Sequence, residues 1–201
     1  MDILFWSGGK DAYLALQFYR QDYPDNDREL RLLTTYEEET EVVPHQQIPL
    51  SHIRRQAASL ELDLIRVPLP SACPNKKYLA EVNRALEAQS VPVGHLIFGD
   101  WHLRDIRRWR EEAFGEMGYD CLFPIWEKSI HELLPVLQLN PVDVTISAVR
   151  EEYQSFIRVG EPFDQSFVVQ LQHLPEEIDP MGEQGEFHTK VTFPELKEEN
   201  T

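Results

Sequence analysis

The chain has 201 residues, which suits a single domain or a core domain with a small appendage. Hydrophobic residues make up 42% of it, enough to build a core, so global disorder is excluded. With 35 acidic against 19 basic residues the formal net charge is −16, and such a surface disfavours a nucleic-acid partner because it repels polyanions.

Short apolar runs separated by amphipathic stretches predict strands that alternate with helices. We predict strands over residues 3–6, 30–36, 64–67, 95–98, 122–125 and 142–149. We predict helices over residues 11–20, 51–60, 75–89, 104–117 and 129–139. In the last of these, Ser129 is a suitable N-terminal cap and Glu132 stands where a capping box needs it.

This alternation indicates an α/β fold with a doubly wound, mostly parallel sheet that helices cover on both faces. The rhythm weakens beyond about residue 135, and the stretch over residues 175–201 is polar and acidic. We therefore predict a first domain over residues 1–134 and a small C-terminal α+β lobe over residues 135–201. Because no repeat or low-complexity linker separates them, we expect the two parts to pack together.

The cysteines and the apolar runs indicate the environment of the protein. Cys73 and Cys121 are too few for a disulfide framework and form no CxxC site, which favours reduced, structural cysteines. No apolar run approaches the length of a membrane span, and the first residues lack the pattern of a leader. We expect a soluble, cytoplasmic protein that binds neither membrane nor nucleic acid, with a homodimer as the favoured assembly.

The segment Ser7-Gly8-Gly9-Lys10-Asp11 lies between the first predicted strand and the first predicted helix. Glycines let the backbone turn sharply and approach a ligand, and a helix start presents unpaired N–H groups. The lysine adds a positive charge, so the segment suits a phosphate. A plain strand-to-helix turn is the alternative interpretation, and the segment matches neither the GxxxxGK[ST] nor the GxGxxG spacing.

With its preceding strand, the segment resembles the SGGxDS pattern of the PP-loop ATP pyrophosphatase superfamily. The resemblance implies a Rossmann-like domain of the HUP class that binds ATP, adenylates an oxygen and releases pyrophosphate. Ala12 stands where the pattern has its final serine, which removes one hydroxyl from the expected phosphate site.

Three later segments narrow the resemblance. They are Phe98-Gly99-Asp100, Pro124-Ile125-Trp126 and the late motif Gly182-Glu-Gln-Gly-Glu-Phe-His-Thr189. In this order they resemble the Phe-Gly-Asp, Pro-Leu-Trp and late glycine-rich motifs of the diphthine–ammonia ligase family. The resemblance covers nearly the whole chain, from Ile3 to about Thr192.

This second resemblance implies an ATP-dependent amide ligase. In the family reaction ATP adenylates a carboxylate on diphthine, the modified histidine of a translation elongation factor, and ammonia then displaces AMP. We expect ATP and ammonia as substrates, Mg²⁺ as a cofactor, and the modified elongation factor or a small carboxylate as the acceptor. Such an enzyme must neutralise phosphate charge and position its two reactants.

On the nucleotide side, we expect the phosphates to lie against Ser7, Gly8, Gly9 and Lys10, with Lys10 also acting in catalysis. Asp11 either orients that lysine or holds Mg²⁺, or it merely complements the helix dipole. The ends of the second and fourth predicted strands complete this side with nucleotide-binding residues: Thr34, Thr35, Tyr36, Gly99 and Asp100. The last of these is also the candidate metal ligand and catalytic carboxylate.

On the acceptor side, Glu186 and His188 lie two residues apart and would share one face of a strand. There they could act in catalysis by gripping a cationic or amine substrate, or by moving a proton from ammonia. Without the resemblance, a polar hairpin with glycine turns is the simpler interpretation. Further candidates are substrate-binding or aromatic residues: Glu183, Thr189, His102, Arg104, Trp101, Trp126 and Phe187.

Other functions stay open. A PP-loop ligase could act on a different carboxylate or amine. A non-catalytic ATP-binding module is a second alternative, although such modules use a different glycine spacing. Modification of tRNA is disfavoured by the net charge of −16 and the missing cysteine pair. The best basic patch, formed by Arg104, Arg107, Arg108 and Arg110, is interrupted by acidic residues.

Overall fold

A seven-stranded sheet forms the centre of the protein in the computed structural model, which describes residues 1–24, 26–174 and 178–194. The strands are β1 (Asp2–Phe5), β2 (Leu30–Glu37), β3 (Val42–Val43), β4 (Ile48–Pro49), β5 (Leu64–Leu69), β6 (His95–Ile97), β7 (Asp120–Leu122), β8 (Asp143–Val149) and β9 (Phe187–Thr192). The helices are α1 (Lys10–Asp22), α2 (Leu50–Ser59), α3 (Asn75–Glu87), α4 (Arg104–Gly115), α5 (Ile130–Leu139) and α6 (Gln165–Leu171).

Five of the seven strands are parallel and lie in the order β5-β2-β1-β6-β7. The expected α/β class with a mostly parallel sheet is therefore confirmed. The chain builds outward from β1 through β2 to β5, then returns to the other side of β1 for β6 and β7. The strand order thus reverses between β1 and β6, and in such sheets a crevice opens at the carboxyl ends of the strands where the order reverses.

The apolar runs of the parallel strands are buried on both faces of the sheet, as expected for strands that helices cover on each side. Leu4 and Leu32 pack in the core that contains α1, α2 and α5. Ile3, Leu33 and Leu96 pack in the core that contains α3 and α4. Neighbouring residues of a strand point to opposite faces, so each run contributes to both cores.

Beyond α5 the chain forms a second sheet, in which β8 and β9 run antiparallel. Its residues Val144, Phe187 and Val191 belong to the same core as Leu4 and α1. The C-terminal segment therefore shares a core with one face of the parallel sheet. The predicted boundary after residue 134 falls inside α5, and residues 175–177 and 195–201 of the predicted lobe lie outside the described residues.

One strand prediction is wrong, and one hairpin was not predicted. The fifth strand ends at Leu122, because Pro124 cannot donate to a sheet ladder and the chain turns there. The acidic stretch after β2 is closed by the hairpin of β3 and β4, whose strands of two residues are too short to show alternation. The capping box of α5 is confirmed, since the Ser129 N–H donates to the Glu132 carboxylate at 2.8 Å.

Cys73 and Cys121 are both half-buried free thiols. Burial raises the pKa of Cys121 to about 11, so this thiol stays protonated at neutral pH. Among the helices in the described ranges, none combines the length and the apolar character needed to span a membrane.

Candidate functional site

A cleft of about 880 Å³ lies at the carboxyl ends of four parallel strands, β1, β2, β5 and β6. It occupies the point where the strand order reverses, which is where doubly wound sheets bind their ligands. The cleft brings together residues from the glycine segment, two strand ends and the late motif. The expected site residues on its walls are Ser7, Asp11, Thr35, Gly99, Asp100, Glu183 and His188.

The glycine loop, residues 7–10, connects β1 to α1 at the floor of this cleft. Gly8 has a φ of +83°, and a Cβ atom there would lie 2.5 Å from Ile53 Cδ1, so the position requires glycine. The Gly9 N–H donates to the Ser7 hydroxyl at 3.3 Å. The loop is therefore folded tightly before the first helical turn begins.

Strand β9 lies against the glycine loop. The Lys10 N–H donates to the Thr189 hydroxyl at 3.0 Å, and the Val191 N–H donates to the Gly8 carbonyl at 2.9 Å. From α2, the Gln56 side chain donates to the Gly8 and Val191 carbonyls at 3.0 and 2.7 Å. Thr189, expected to bind substrate, is buried here and fixes the start of α1.

The side chain of Lys10 points toward the C-terminal segment. Its ammonium group is buried, donates to the Met181 carbonyl at 2.5 Å, and contacts both carboxylate oxygens of Asp11 at 2.9 Å. It also lies 5.3 Å from the ring centroid of Phe163 and 5.9 Å from that of Phe187. Lys10 thus joins α1 to the segment before β9, and its ammonium group does not line the cleft described above.

Acidic side chains dominate the cleft around α1. Burial raises the pKa of Asp11, and the neighbouring Lys10 opposes that shift. Burial also raises the pKa of Glu183 to about 8, and the negative charges of Asp11 and Asp100 add to the effect. These carboxylates repel one another, so a cation that joined them would relieve the repulsion.

Gly99 and Asp100 follow β6 and face the first turn of α1. A Cβ atom at Gly99 would lie 2.7 Å from the carbonyl carbon and oxygen of Asp11, so glycine permits this close approach of two backbones. Asp100 pairs with Arg110 of α4, with 2.6 Å between Arg110 Nε and Asp100 Oδ2. The expected metal ligand at Asp100 is therefore already engaged by a guanidinium group.

Glu186 is buried inside the late motif rather than in the cleft. Its carboxylate accepts hydrogen bonds from the Asp179 and Gln184 N–H groups, each at 3.0 Å. The expectation that Glu186 and His188 share one strand face is wrong, because β9 begins only at Phe187. Glu186 holds the turn that leads into β9, whereas His188 faces the cleft.

His188 stands on the cleft wall opposite the hairpin of β3 and β4. Its ring centroid lies 5.9 Å from that of His45, which is in the turn of that hairpin. Burial lowers the pKa of His188 to about 4, and the positive charges of His45 and Lys10 act in the same direction. His188 is therefore a neutral imidazole at neutral pH, suited to accept a hydrogen bond.

The remaining expected residues lie outside the cleft. His102 Nε2 is 3.4 Å from Asp179 Oδ2, so this histidine braces the late motif. Arg104 is exposed and pairs with Glu127 at 3.2 Å. The aromatic candidates pack elsewhere: Trp101 Nε1 donates to the Lys128 carbonyl, Trp126 lies under Arg107, Tyr36 packs against the core and Phe187 is buried.

The structure adds cleft residues that the sequence did not indicate. They come from the hairpin of β3 and β4, from the start of α3 and from α4, and include His45, Gln47, Tyr78, Trp109 and Arg110. His45 and Gln47 have φ values of +64° and +54°, unusual for residues with side chains and common at binding sites. Their spacing in the sequence carries no motif, which explains why the sequence did not indicate them.

Within the described ranges, no group of three His, Cys, Asp or Glu side chains is arranged to hold a metal ion. Comparison with models of protein families and with curated protein sequences found no match. The interpretation of the cleft therefore depends on its own geometry and on the motifs of the sequence.

Proposed function

We propose that the protein is an ATP-dependent, AMP-forming amide ligase of the PP-loop type, with a HUP-class nucleotide-binding core. One observation carries the proposal. The start of α1 and the late motif, which are about 180 residues apart in sequence, supply adjoining parts of one cleft, through Ser7 and Asp11 from the first and Glu183 and His188 from the second. A ligase that joins two reactants needs such a shared chamber.

The nucleotide is assigned to the wall formed by the glycine loop and the end of β2. The first turn of α1 presents backbone N–H groups and the positive end of the helix dipole at Asp11 and Ala12, which both line the cleft. The Ser7 hydroxyl adds a polar group beside them. Thr35 lines the cleft at β2 and is assigned to the ribose or adenine.

The residues present fit Mg²⁺ bound together with nucleotide phosphates. Magnesium in such sites takes one or two protein carboxylates and completes its shell with phosphate oxygens and water, so a cage of three side chains is not required. Asp11 and Glu183 would supply oxygen ligands, because both line the cleft and their negative charges repel each other. When bound, Mg²⁺ would neutralise phosphate charge that this acidic cleft otherwise repels.

The proposed reaction has two balanced steps. A carboxylate oxygen of the acceptor attacks the α-phosphorus of ATP, and the bond to the β-phosphate oxygen breaks, so pyrophosphate leaves with that electron pair. Ammonia then attacks the carbonyl carbon of the acyl adenylate, loses a proton and displaces AMP. Adenylation is needed because an ionised carboxylate has no good leaving group.

The chain contributes the orientation of ammonia and the positioning of the two reactants to this chemistry. His188, held neutral by burial, is assigned to accept a hydrogen bond from ammonia, and the proton that ammonia loses passes to water. Lys10, Thr189 and Glu186 are assigned to position the two walls, because each is buried and engaged with backbone groups of the loop or of the late motif. The acceptor is either diphthine or another carboxylate.

The test is a product assay. The protein is incubated with α-labelled ATP, Mg²⁺, ammonium and a panel of carboxylates that includes a diphthine-containing elongation factor. We expect AMP and pyrophosphate in equal amounts, dependent on Mg²⁺ and on the carboxylate. The variant His188→Ala should keep nucleotide binding but lose about tenfold or more in amide formation, because ammonia loses the group that orients it.

His173→Ala is the matched control, because His173 lies just after α6 and outside the residues that line the cleft. It should behave as wild type. Formation of ADP and phosphate, or nucleotide binding without turnover for every acceptor, would contradict the proposal. The second outcome would favour a non-catalytic ATP-binding module.

A further inference from the structure

One half of the cleft is not used by the glycine loop or by the late motif. It is walled by α3 and α4 and by the end of β6, through Tyr78, Trp109, Arg110 and Phe98. The rings of Tyr78 and Trp109 lie 6.3 Å apart between centroids, with 39° between their planes. This compartment therefore offers aromatic surface and a guanidinium group side by side.

Arg110 differs from the other charged groups of the cleft. Among the described residues that line the cleft, it is the one with a lysine or arginine side chain. The acidic residues Glu37, Asp11, Asp100 and Glu183 line the same space. An anionic group that enters this cleft without a metal ion has one permanent positive charge to meet, and that charge is the guanidinium of Arg110.

The guanidinium is held in place and keeps part of its hydrogen-bonding capacity. Asp100 approaches its Nε at 2.6 Å and its Nη2 at 3.3 Å, and Phe98 supports its flat face with a ring centroid 4.4 Å away. The Tyr78 side chain is also hydrogen-bonded to Arg110. A guanidinium has about five N–H groups, so two are left for a second carboxylate after the contacts to Asp100 and Tyr78.

We propose that Arg110, flanked by Tyr78 and Trp109, binds the carboxylate of the acceptor and selects acceptors whose carboxylate is attached to a flat or apolar body. This inference rests on the proposed function, because it takes that reaction's acceptor to be a carboxylate. The guanidinium receives the carboxylate through two parallel N–H···O bonds. Asp100 is a positioning residue that keeps the guanidinium flat against Phe98.

The experiment measures binding separately from turnover. Isothermal titration records the affinity of wild-type protein for 3-phenylpropanoate, for its neutral analogue 3-phenylpropanamide and for Mg²⁺ with α,β-methylene-ATP. We expect the acid to bind about tenfold or more tightly than the amide, as a charge-assisted, bidentate contact predicts. Arg110→Gln should remove that preference and leave nucleotide affinity within about twofold.

Arg107→Gln is the matched control, because Arg107 lies on the same helix but packs over Phe123 and Trp126 outside the residues that line the cleft. It should bind the acid as wild type does. Arg110→Lys keeps the charge beside Asp100 and serves if the glutamine variant does not fold. The lysine variant should bind the acid more weakly than wild type, because it lacks the paired N–H groups.

Two outcomes would overturn the inference. One is equal binding of acid and amide by wild-type protein. The other is loss of nucleotide affinity in Arg110→Gln with the acid unaffected, which would move Arg110 to the nucleotide site. Failure of the proposed function has a different signature, since the acid would still bind through Arg110 while no AMP forms with any acceptor.

Discussion

The backbone N–H of Lys10 and the hydroxyl of Thr189 meet in a 3.0 Å hydrogen bond that spans 179 residues of sequence. The donor belongs to the first turn of α1, whose N–H groups have no partners within the helix. A side chain from the late motif therefore caps the helix on which the nucleotide is expected to bind. Two of the motifs that carry the resemblance are physically joined at this point.

Replacement of Thr189 by valine should destabilise the protein by about 1–3 kcal/mol, because a buried N–H loses its acceptor while the shape is kept. Thr145→Val is the control, since Thr145 lies half-buried on the partner strand β8. Urea denaturation measures both free energies of unfolding. Equal effects of the two substitutions would show that the hydrogen bond to Lys10 contributes nothing particular.

Gly99→Ala should cost about 1–3 kcal/mol of stability and weaken nucleotide binding, because the new Cβ would lie 2.7 Å from backbone atoms of Asp11 and would push β6 away from α1. Gly115→Ala is matched to it, since a Cβ there would meet no described atom within 4 Å. In that helix the exchange should be neutral or stabilising by up to about 1 kcal/mol. Wild-type nucleotide affinity in Gly99→Ala would contradict the close approach.

Glu183 should make stability depend on pH above neutrality. Its pKa in the folded protein is about 8, above the ordinary value of 4.5, so the folded state keeps a proton that the unfolded state has lost. Stability from this group is full below the unfolded pKa and falls as pH rises from about 4.5 through about 8. Relative to wild type, Glu183→Gln should gain up to about 4 kcal/mol of stability between pH 5 and pH 9.

Glu186→Gln provides the contrast within the same motif. Glu186 accepts backbone hydrogen bonds with both carboxylate oxygens, and glutamine offers only one oxygen. We expect a loss of about 1–3 kcal/mol at pH 5 and at pH 9 alike. Denaturation curves at the two pH values distinguish the variants, and parallel behaviour of Glu183→Gln and Glu186→Gln would refute the assignment.

Lys10→Met should loosen the C-terminal segment. It leaves the Met181 carbonyl without its donor and the partly exposed Asp11 without its cation, which should cost about 1–3 kcal/mol. Amide exchange at Val191, which donates to Gly8, should become faster. Lys190→Met on the half-exposed side of β9 is the control, and unchanged exchange in Lys10→Met would argue against an anchoring role.

The sequence predicts the parallel sheet well because each strand is marked by a short apolar run, which is a local feature of the sequence. Runs such as Ile3 to Trp6 are apolar on both faces, and only a strand covered on both sides has that pattern. The Ser129 and Glu132 capping box also depends on residues three apart, and it forms as predicted. The fifth strand ends before Pro124, although the apolar pattern alone predicted that it continued to residue 125.

The roles within the site are less accessible from sequence, because they depend on long-range contacts. The sequence places Lys10 beside glycines and suggests a phosphate ligand, yet it does not reveal that Met181 receives its ammonium group. The sequence suggests that Glu186 and His188 form a functional pair. However, β9 begins only after Glu186, so the two side chains do not share a strand face. Arg110 lies in a basic stretch that acidic residues interrupt. It lines the cleft only because α4 approaches the end of β6.

The contacts of β9 with the glycine loop also bear on how the protein is made. Gly8 and Lys10 leave the ribosome early, but their partners Thr189 and Val191 are synthesised about 180 residues later. The parallel sheet can form cotranslationally, since β1 to β7 precede α5. The glycine loop, by contrast, waits for nearly all of the described chain, so a ribosome stalled before β9 would carry a sheet whose glycine loop lacks its partners from β9.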